Sequence, residues 1–260
     1  MAMNPLHQFA VEGIVPLHVA GLDLTITNQA VWTALAAASI LIFLLGGVAR
    51  MALVPGRWQS LVEMTVEFVR DLTKNTAGHS ALPFLPLVLT TFLFIAALNL
   101  IGMVPKSFTA TSQFTTTAYM GVMVFVLVMV VGIYQQGLHF FAMFLPKGTP
   151  WWLVPLIVPL EVISFLARPL TLAVRLAANM VAGHVLLKIF ASFCVMLMGL
   201  AGLEAMDLSF SNMALTTPLA ILPFALLVAL TGLEVFVALL QAYIFTILTL
   251  VYLNDALHGH

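Results

Sequence analysis

Two stretches of this chain decide what it can fold into. Trp151 to Leu203 and Ser211 to Leu253 are each largely apolar for more than 40 residues. A helix of about 45 residues is roughly 68 Å long, whereas the hydrocarbon core of a bilayer is about 30 Å thick. Each stretch must therefore fold back as two spans or cross once at a steep tilt. Pro159 and Pro169 are placed to kink the first, but no polar turn of three or four residues interrupts either. The only clear polar break between them is Glu204, Asp207, Ser209, Ser211 and Asn212. The sequence predicts two long helices, tilted beyond the usual range of about 0–40° and held there by helical neighbours.

Composition supports a membrane solvent for the whole chain. Of 260 residues, 62% are hydrophobic and 7% charged, against roughly 45–50% and about 25% in soluble domains. Soluble globular, disordered, coiled-coil and disulfide-framework classes are excluded. A net charge of −1 gives no basic field for nucleic acid. One cysteine, Cys194, allows no intrachain disulfide, and no two of the seven histidines stand three or four apart. No cofactor or metal site is expected.

The remaining spans follow from windows of about 20 apolar residues: Ala30 to Val48, about Leu82 to Val104, and about Thr117 to Leu138. No basic residue precedes the first, so it does not read as a secretory signal. Arg50, Arg57, Arg70 and Lys74 follow it. The positive-inside rule then puts that end in the cytoplasm and the N-terminus outside. Between Trp58 and Lys74, Leu61, Met64, Phe68 and Leu72 recur at helical spacing opposite Glu63, Glu67, Arg70 and Asp71, which predicts a helix on the cytoplasmic surface. Lys106 lies in a Ser/Thr-rich outer loop, and His139 to Pro150, with Lys147, returns the chain to the cytoplasm. The expected architecture is an all-α polytopic membrane protein with about five crossing helices and an amphipathic surface helix. Residues 1–29 form an external segment, 30–260 a single membrane domain, and the C-terminus is cytoplasmic.

Ionisable groups at membrane depth are costly and mark function. The penultimate helix carries Glu161, Arg168, Arg175, His184 and Lys188; the last carries Glu234, with Gln241 as a polar companion. Glu161, Arg168 and Arg175 are each seven apart and lie near one stripe, with Ser164 and Asn179 close to it. His184 falls on about the opposite face, and Lys188 is one turn beyond it. Arg175 has no acid within ten residues, and a guanidinium keeps its charge where an ammonium can lose it. Its partner is either Glu161 or Glu234 in this chain or a carboxylate from another subunit. Ala173, Ala177, Ala178, Ala182 and Gly183 make a small-residue surface that allows close helix approach. His184 and Glu234 are suited to exchanging protons near neutral pH; a satisfied structural pair is the alternative. For Asn179, Gln241 and Ser164, ordinary interhelical hydrogen bonds are an equal alternative. Lys188 and Arg168 are placed to snorkel toward the outer and cytoplasmic sides.

The run from Glu161-Val-Ile-Ser164 through Arg168-Pro169 and Arg175-Leu-Ala-Ala-Asn179 to Gly183-His184 resembles the penultimate helix of subunit a of F-type ATP synthases. Leu239-Leu-Gln241-Ala-Tyr through Tyr252-Leu resembles its last helix, and Asn4-Pro5-Leu6-His7-Gln8-Phe9 and Pro55-Gly56-Arg57-Trp58-Gln59 are similar to bacterial members with mitochondrial-like features. The resemblance implies a proton-conducting stator, not itself catalytic, whose two long helices form a hairpin against a ring of small hairpin rotor subunits. It further implies peripheral-stalk membrane subunits as partners, an indirect link to the soluble ATPase sector, and a bacterial inner membrane. Arg175 matches the essential charge facing the rotor carboxylate, with Asn179 and Gln241 the polar residues beside it. His184 and Glu234 match an acid–histidine pair on the outer half-channel, in the mitochondrial-type order, and Glu161 and Ser164 match the cytoplasmic half-channel. At Ala177-Ala178 many members carry Phe-Gly, a difference expected to alter packing and not function.

A secondary transporter is the main rival, but no internal repeat is evident and five spans is an odd number. Neither a Gly-x-Ser-x-Gly nor a His-Glu-x-x-His motif supports an intramembrane hydrolase. Asn99, Gln113 and Thr115 to Thr117 are weak candidates for the outer access route, with a hydrated loop the plainer reading of the last four.

Overall fold

The computed structural model describes residues 10–16, 18–19, 22–23, 25–49, 52–104, 107–137, 145, 150–204 and 210–258. The Asn4–Phe9 motif, Arg50, Lys106, His139, Lys147, Asp207 and Ser209 lie outside the described residues. Among the described residues six α-helices carry the fold: α1 (Asn28–Val48), α2 (Arg57–Ala77), α3 (Leu85–Gly102), α4 (Phe114–Gln136), α5 (Val154–Glu204) and α6 (Phe210–His258). All but α2 contain a stretch long and apolar enough to cross a membrane. The two long stretches are single helices of 51 and 49 residues, and α5 runs on through both Pro159 and Pro169. The apolar part of α6, Pro223–Leu257, is 35 residues, about 53 Å long. Laid across a core of about 30 Å, it would tilt by about 55°.

Ahead of α1 the chain forms two small antiparallel pairs that the sequence reading did not foresee. Strand β1 (Gly13–Val15) pairs with β4 (Ile26–Thr27), and β2 (His18–Val19) pairs with β3 (Leu22–Asp23) between them. Strands this short give too few alternating positions for periodicity to register. Thr27 then caps α1, its hydroxyl accepting from the Ala30 amide at 3.3 Å.

Among the described residues of α1 only Ala36 and Gly47 are buried, so most of its surface is left for lipid. A Cβ on Gly47 would meet Val62 Cγ2 at 2.6 Å, so this glycine is what lets α1 and α2 approach closely. The face of α2 turned to the protein is Val62, Val69, Thr73 and Ala77. The predicted stripe of Leu61, Met64 and Phe68 is exposed, and Leu72 is half-buried. This leaves the apolar stripe free for a membrane surface, as a helix lying on that surface requires. Two helices end on glycines in the left-handed region, α2 at Gly78 (φ +75°) and α4 at Gly137 (φ +58°).

The core lies where α3, α4, α5 and α6 meet. On α4 the buried positions Met120, Val124 and Val128 recur every four residues, with Gly121 and Gly132 beside them. They meet Ile95 and Leu98 of α3, Phe165, Leu172 and Leu176 of α5, and Phe245 of α6. The hydroxyls of Thr246 and Thr249 stay satisfied in this interior by donating to the carbonyls of Ala242 and Phe245, each at 2.8 Å.

Candidate functional site

The site is assembled between α5, α6 and the turn that follows α3. On α5, Leu172, Ala173, Leu176, Ala177 and Met180 are buried, which turns Arg175, Ala178, Asn179 and Ala182 outward. Arg175 makes no hydrogen bond or ion pair with a described residue. Neither Glu161 nor Glu234 pairs with it, so the intrachain reading of its partner is set aside. One turn on, Asn179 donates from Nδ2 to Gln241 Oε1 at 3.1 Å. Gln241 is 2% exposed and its Nε2 has no partner among the described residues.

His184 and Glu234 do come together, with Nδ1 to Oε1 at 3.7 Å. Glu234 is buried, and neither of its oxygens accepts a hydrogen bond from a described residue. The approach depends on Gly183, where a Cβ would stand 2.7 Å from Glu234 Oε1. The other ring nitrogen of His184, Nε2, lies 3.0 Å from the hydroxyl of Thr109.

Two cavities flank this pair. One, of about 200 Å³, is lined by Asn179, Gly183, Leu187, Leu233 and Glu234. The other, of about 400 Å³, is lined by Gly102, Ser107, Thr109, His184, Lys188 and Thr231. Each has room for several waters, and Leu187 belongs to both walls. Polar groups thus run from the larger cavity through Thr109, His184 and Glu234 to Asn179 and Gln241. Nine residues of α5 separate His184 from Arg175, about 14 Å along the axis.

Other sequence-predicted residues stand apart. Glu161 is half-buried and Ser164 exposed, about four and three turns below Arg175 on α5, and neither bonds to a described residue. Arg168 does not snorkel freely: its Nη1 pairs with Asp255 Oδ2 at 3.4 Å, and its guanidinium lies 5.8 Å from the Phe165 ring and 5.2 Å from that of Tyr252. Asn99 is buried and donates to the Ala238 carbonyl at 3.0 Å. Thr117 is fully buried as well, which corrects the hydrated-loop reading at that position.

This arrangement offers a cation unpaired among the described residues on an outward helix face, an acid–histidine pair farther along the same helix and cavities on either side of that pair. The family described as ATP synthase A chain matches residues 30–254. The chain belongs to this family. It is 45% identical over 262 residues to ATP synthase subunit a of Rhodopseudomonas palustris (strain BisB5), covering all of both chains. It is equally identical over 264 residues to ATP synthase subunit a of Rhizobium etli (strain CIAT 652), again over both full lengths. The Parvibaculum lavamentivorans subunit a is 43% identical over 261 residues, covering 99% of this chain and 95% of that one. Membership makes the chain a multi-pass component of the proton-translocating membrane sector, and the transporter alternative falls.

For a member of this family, the sequence reading missed two features of the site. Thr109 sits in the Ser/Thr-rich stretch read only as an outer loop, and its neighbours Phe108 and Ala110 to Ser112 are also buried. Unusual polarity between two apolar spans was the available signal. Asp255 was overlooked because it lies at the end of the last apolar run, where a charge needs no explanation.

Proposed function

We infer that this subunit carries protons through two offset half-channels and couples their flow to rotation of an adjacent ring, and hence to ATP synthesis. The observation that carries the reading is Arg175, a permanent cation on an outward face, unpartnered among the described residues. A fixed guanidinium there favours the deprotonated form of a passing rotor carboxylate and repels a proton that would leak directly between the channels. Asn179 and Gln241 orient the surface around it. His184 and Glu234 receive protons on the outer side, and Glu161 and Ser164 release them toward the cytoplasm.

In this reading residues 30–260 work as one membrane domain in the bacterial inner membrane, with residues 1–29 outside and the C-terminus cytoplasmic. Ala178 and Ala182 beside Arg175 allow a rotor helix to approach closely. The chain moves protons and does not itself form ATP. Each proton that descends 100 mV releases about 2.3 kcal/mol, which the ring transmits to the ATPase sector; peripheral-stalk subunits hold the stator still.

The test is ATP-driven acidification of inverted vesicles carrying the assembled complex, native against Arg175→Ala, with equal ATPase content in both. Pumping should vanish in the variant. Equal pumping in the two would overturn the assignment.

A further inference from the structure

The turn after α3 is built around one contact. Gly102 closes α3, and a Cβ there would meet Thr109 Cγ2 at 2.8 Å and Thr109 Cα at 3.3 Å. The bare backbone of Gly102 therefore lets the returning chain press against it. Thr109 is 5% exposed and anchored, its hydroxyl donating to the Gly102 carbonyl at 3.1 Å. The same oxygen stands 3.0 Å from His184 Nε2. A hydroxyl has one proton and two lone pairs. With its proton on Gly102, it accepts from Nε2–H, and Nδ1 is then the nitrogen turned to Glu234, 3.7 Å away.

We propose that Thr109 is a positioning residue of the proton path, holding His184 by Nε2 so that Nδ1 is presented to the Glu234 carboxyl. This rests on the reading of His184 and Glu234 as the outer proton-receiving pair. With Nε2 protonated and fixed, the one lone pair of the ring is on Nδ1, so a proton exchanged with the acid is taken up and given back at Nδ1, the side that faces Glu234, and the imidazole need not rotate. Thr109 and His184 both line the cavity of about 400 Å³. Among the described residues the titratable groups facing His184 are Glu234 from α6 and Lys188 from α5 itself. Neither α3 nor α4 carries a charged residue.

The experiment measures ATP-driven acidification of inverted vesicles across pH, per assembled complex, for the native chain, Thr109→Val, Thr109→Ser and Glu234→Gln. Thr109→Val keeps the shape and removes the hydroxyl. Its pumping should fall about three- to tenfold, the worth of one hydrogen bond, and its pH profile should move by up to about one unit. Thr109→Ser should match the native chain in both. Native-like pumping by Thr109→Val overturns the proposal, as does reduced pumping with an unmoved profile or a serine variant as poor as the valine. If Thr109→Val does not assemble, Thr109→Ala removes the hydroxyl without added bulk and carries the same expectations; failure of both to assemble overturns positioning in favour of packing. Glu234→Gln separates the two levels of argument. If it pumps normally, the proton-path reading fails and takes this proposal with it. If it is inactive while Thr109→Val is native-like, only the role of Thr109 falls.

Discussion

Substituting Gly183 by alanine tests whether the His184–Glu234 geometry matters at the scale of fractions of an ångström. The new methyl carbon would lie 2.7 Å from Glu234 Oε1, 3.1 Å from Cδ and 3.3 Å from Cγ. Ordinary contact begins near 3.4 Å, so the carboxyl must retreat by about 0.7 Å. Glu234 Oε1 is the far end of a flexible side chain beside the cavity of about 200 Å³, so the carboxyl shifts and it is the His184–Glu234 geometry that changes. Overpacking of this kind costs about 1–3 kcal/mol, which a helix pair with this much buried surface should survive. Function should suffer more, because a misplacement of about 1 Å can slow a geometry-dependent step about 100-fold. We expect Gly183→Ala to assemble normally and to lose pumping by roughly 10- to 100-fold. The assay is ATP-driven acidification normalised to assembled complex. Adding Glu234→Asp, which shortens the acid by one methylene, should relieve the clash and restore part of the rate. Native pumping by Gly183→Ala at normal assembly would refute the reasoning.

Thr171 is exposed one turn before Arg175, so Thr171→Glu gives the arginine a permanent i, i+4 partner. Pumping should fall in Thr171→Glu and persist in Thr171→Gln; equal rates would show that a bare charge is unnecessary. Asp255→Asn removes the 3.4 Å ion pair with Arg168, whose side chains are 31% and 22% exposed, and should destabilise the solubilised complex by about 1 kcal/mol, read as a lower Tm. Asn179→Ala and Gln241→Ala should be non-additive in that same thermal assay, with a coupling of about 0.5–1.5 kcal/mol for their shared hydrogen bond; an additive pair of losses would place the two side chains apart in solution.

Much of the architecture was legible because membrane spans are written in length and apolarity. The two long helices could be read from what was missing, a polar turn. The residues of the site were legible for the opposite reason: a charge such as Arg175 or Glu234 is conspicuous where charges are scarce. What the sequence could not supply was pairing across elements. His184 and Glu234 are 50 positions apart, and only the packing of α5 on α6, permitted by Gly183, brings them within 3.7 Å. Thr109 was overlooked for a related reason: the polarity of its stretch stood out, but a single threonine is ordinary in a loop and becomes notable only when that loop is buried against His184. On α2 periodicity finds the most hydrophobic stripe, which is left exposed, while the side packed on the protein, Val62, Val69, Thr73 and Ala77, carries a weaker signal.

Arg168 and Arg175 show how environment divides labour between identical side chains. They stand seven residues apart on one helix, about 10 Å along its axis. Arg168 is neutralised by Asp255 and flanked by the rings of Phe165 and Tyr252, so its charge is spent on joining α5 to the end of α6. Among the described residues, Arg175 makes no such ion pair and has no such ring contact. A cation left bare at membrane depth carries an unfavourable desolvation cost, and a chain optimised for stability alone would have paired or removed it. The asymmetry makes sense if the counter-charge is delivered by another subunit and must leave again. A resident carboxylate beside Arg175 would satisfy the charge and hold no place for a moving one. The ion pair at Arg168 joins the two helices, and under the proposed function the lack of one at Arg175 among the described residues leaves a surface on which a rotor carboxylate would be attracted, released and replaced.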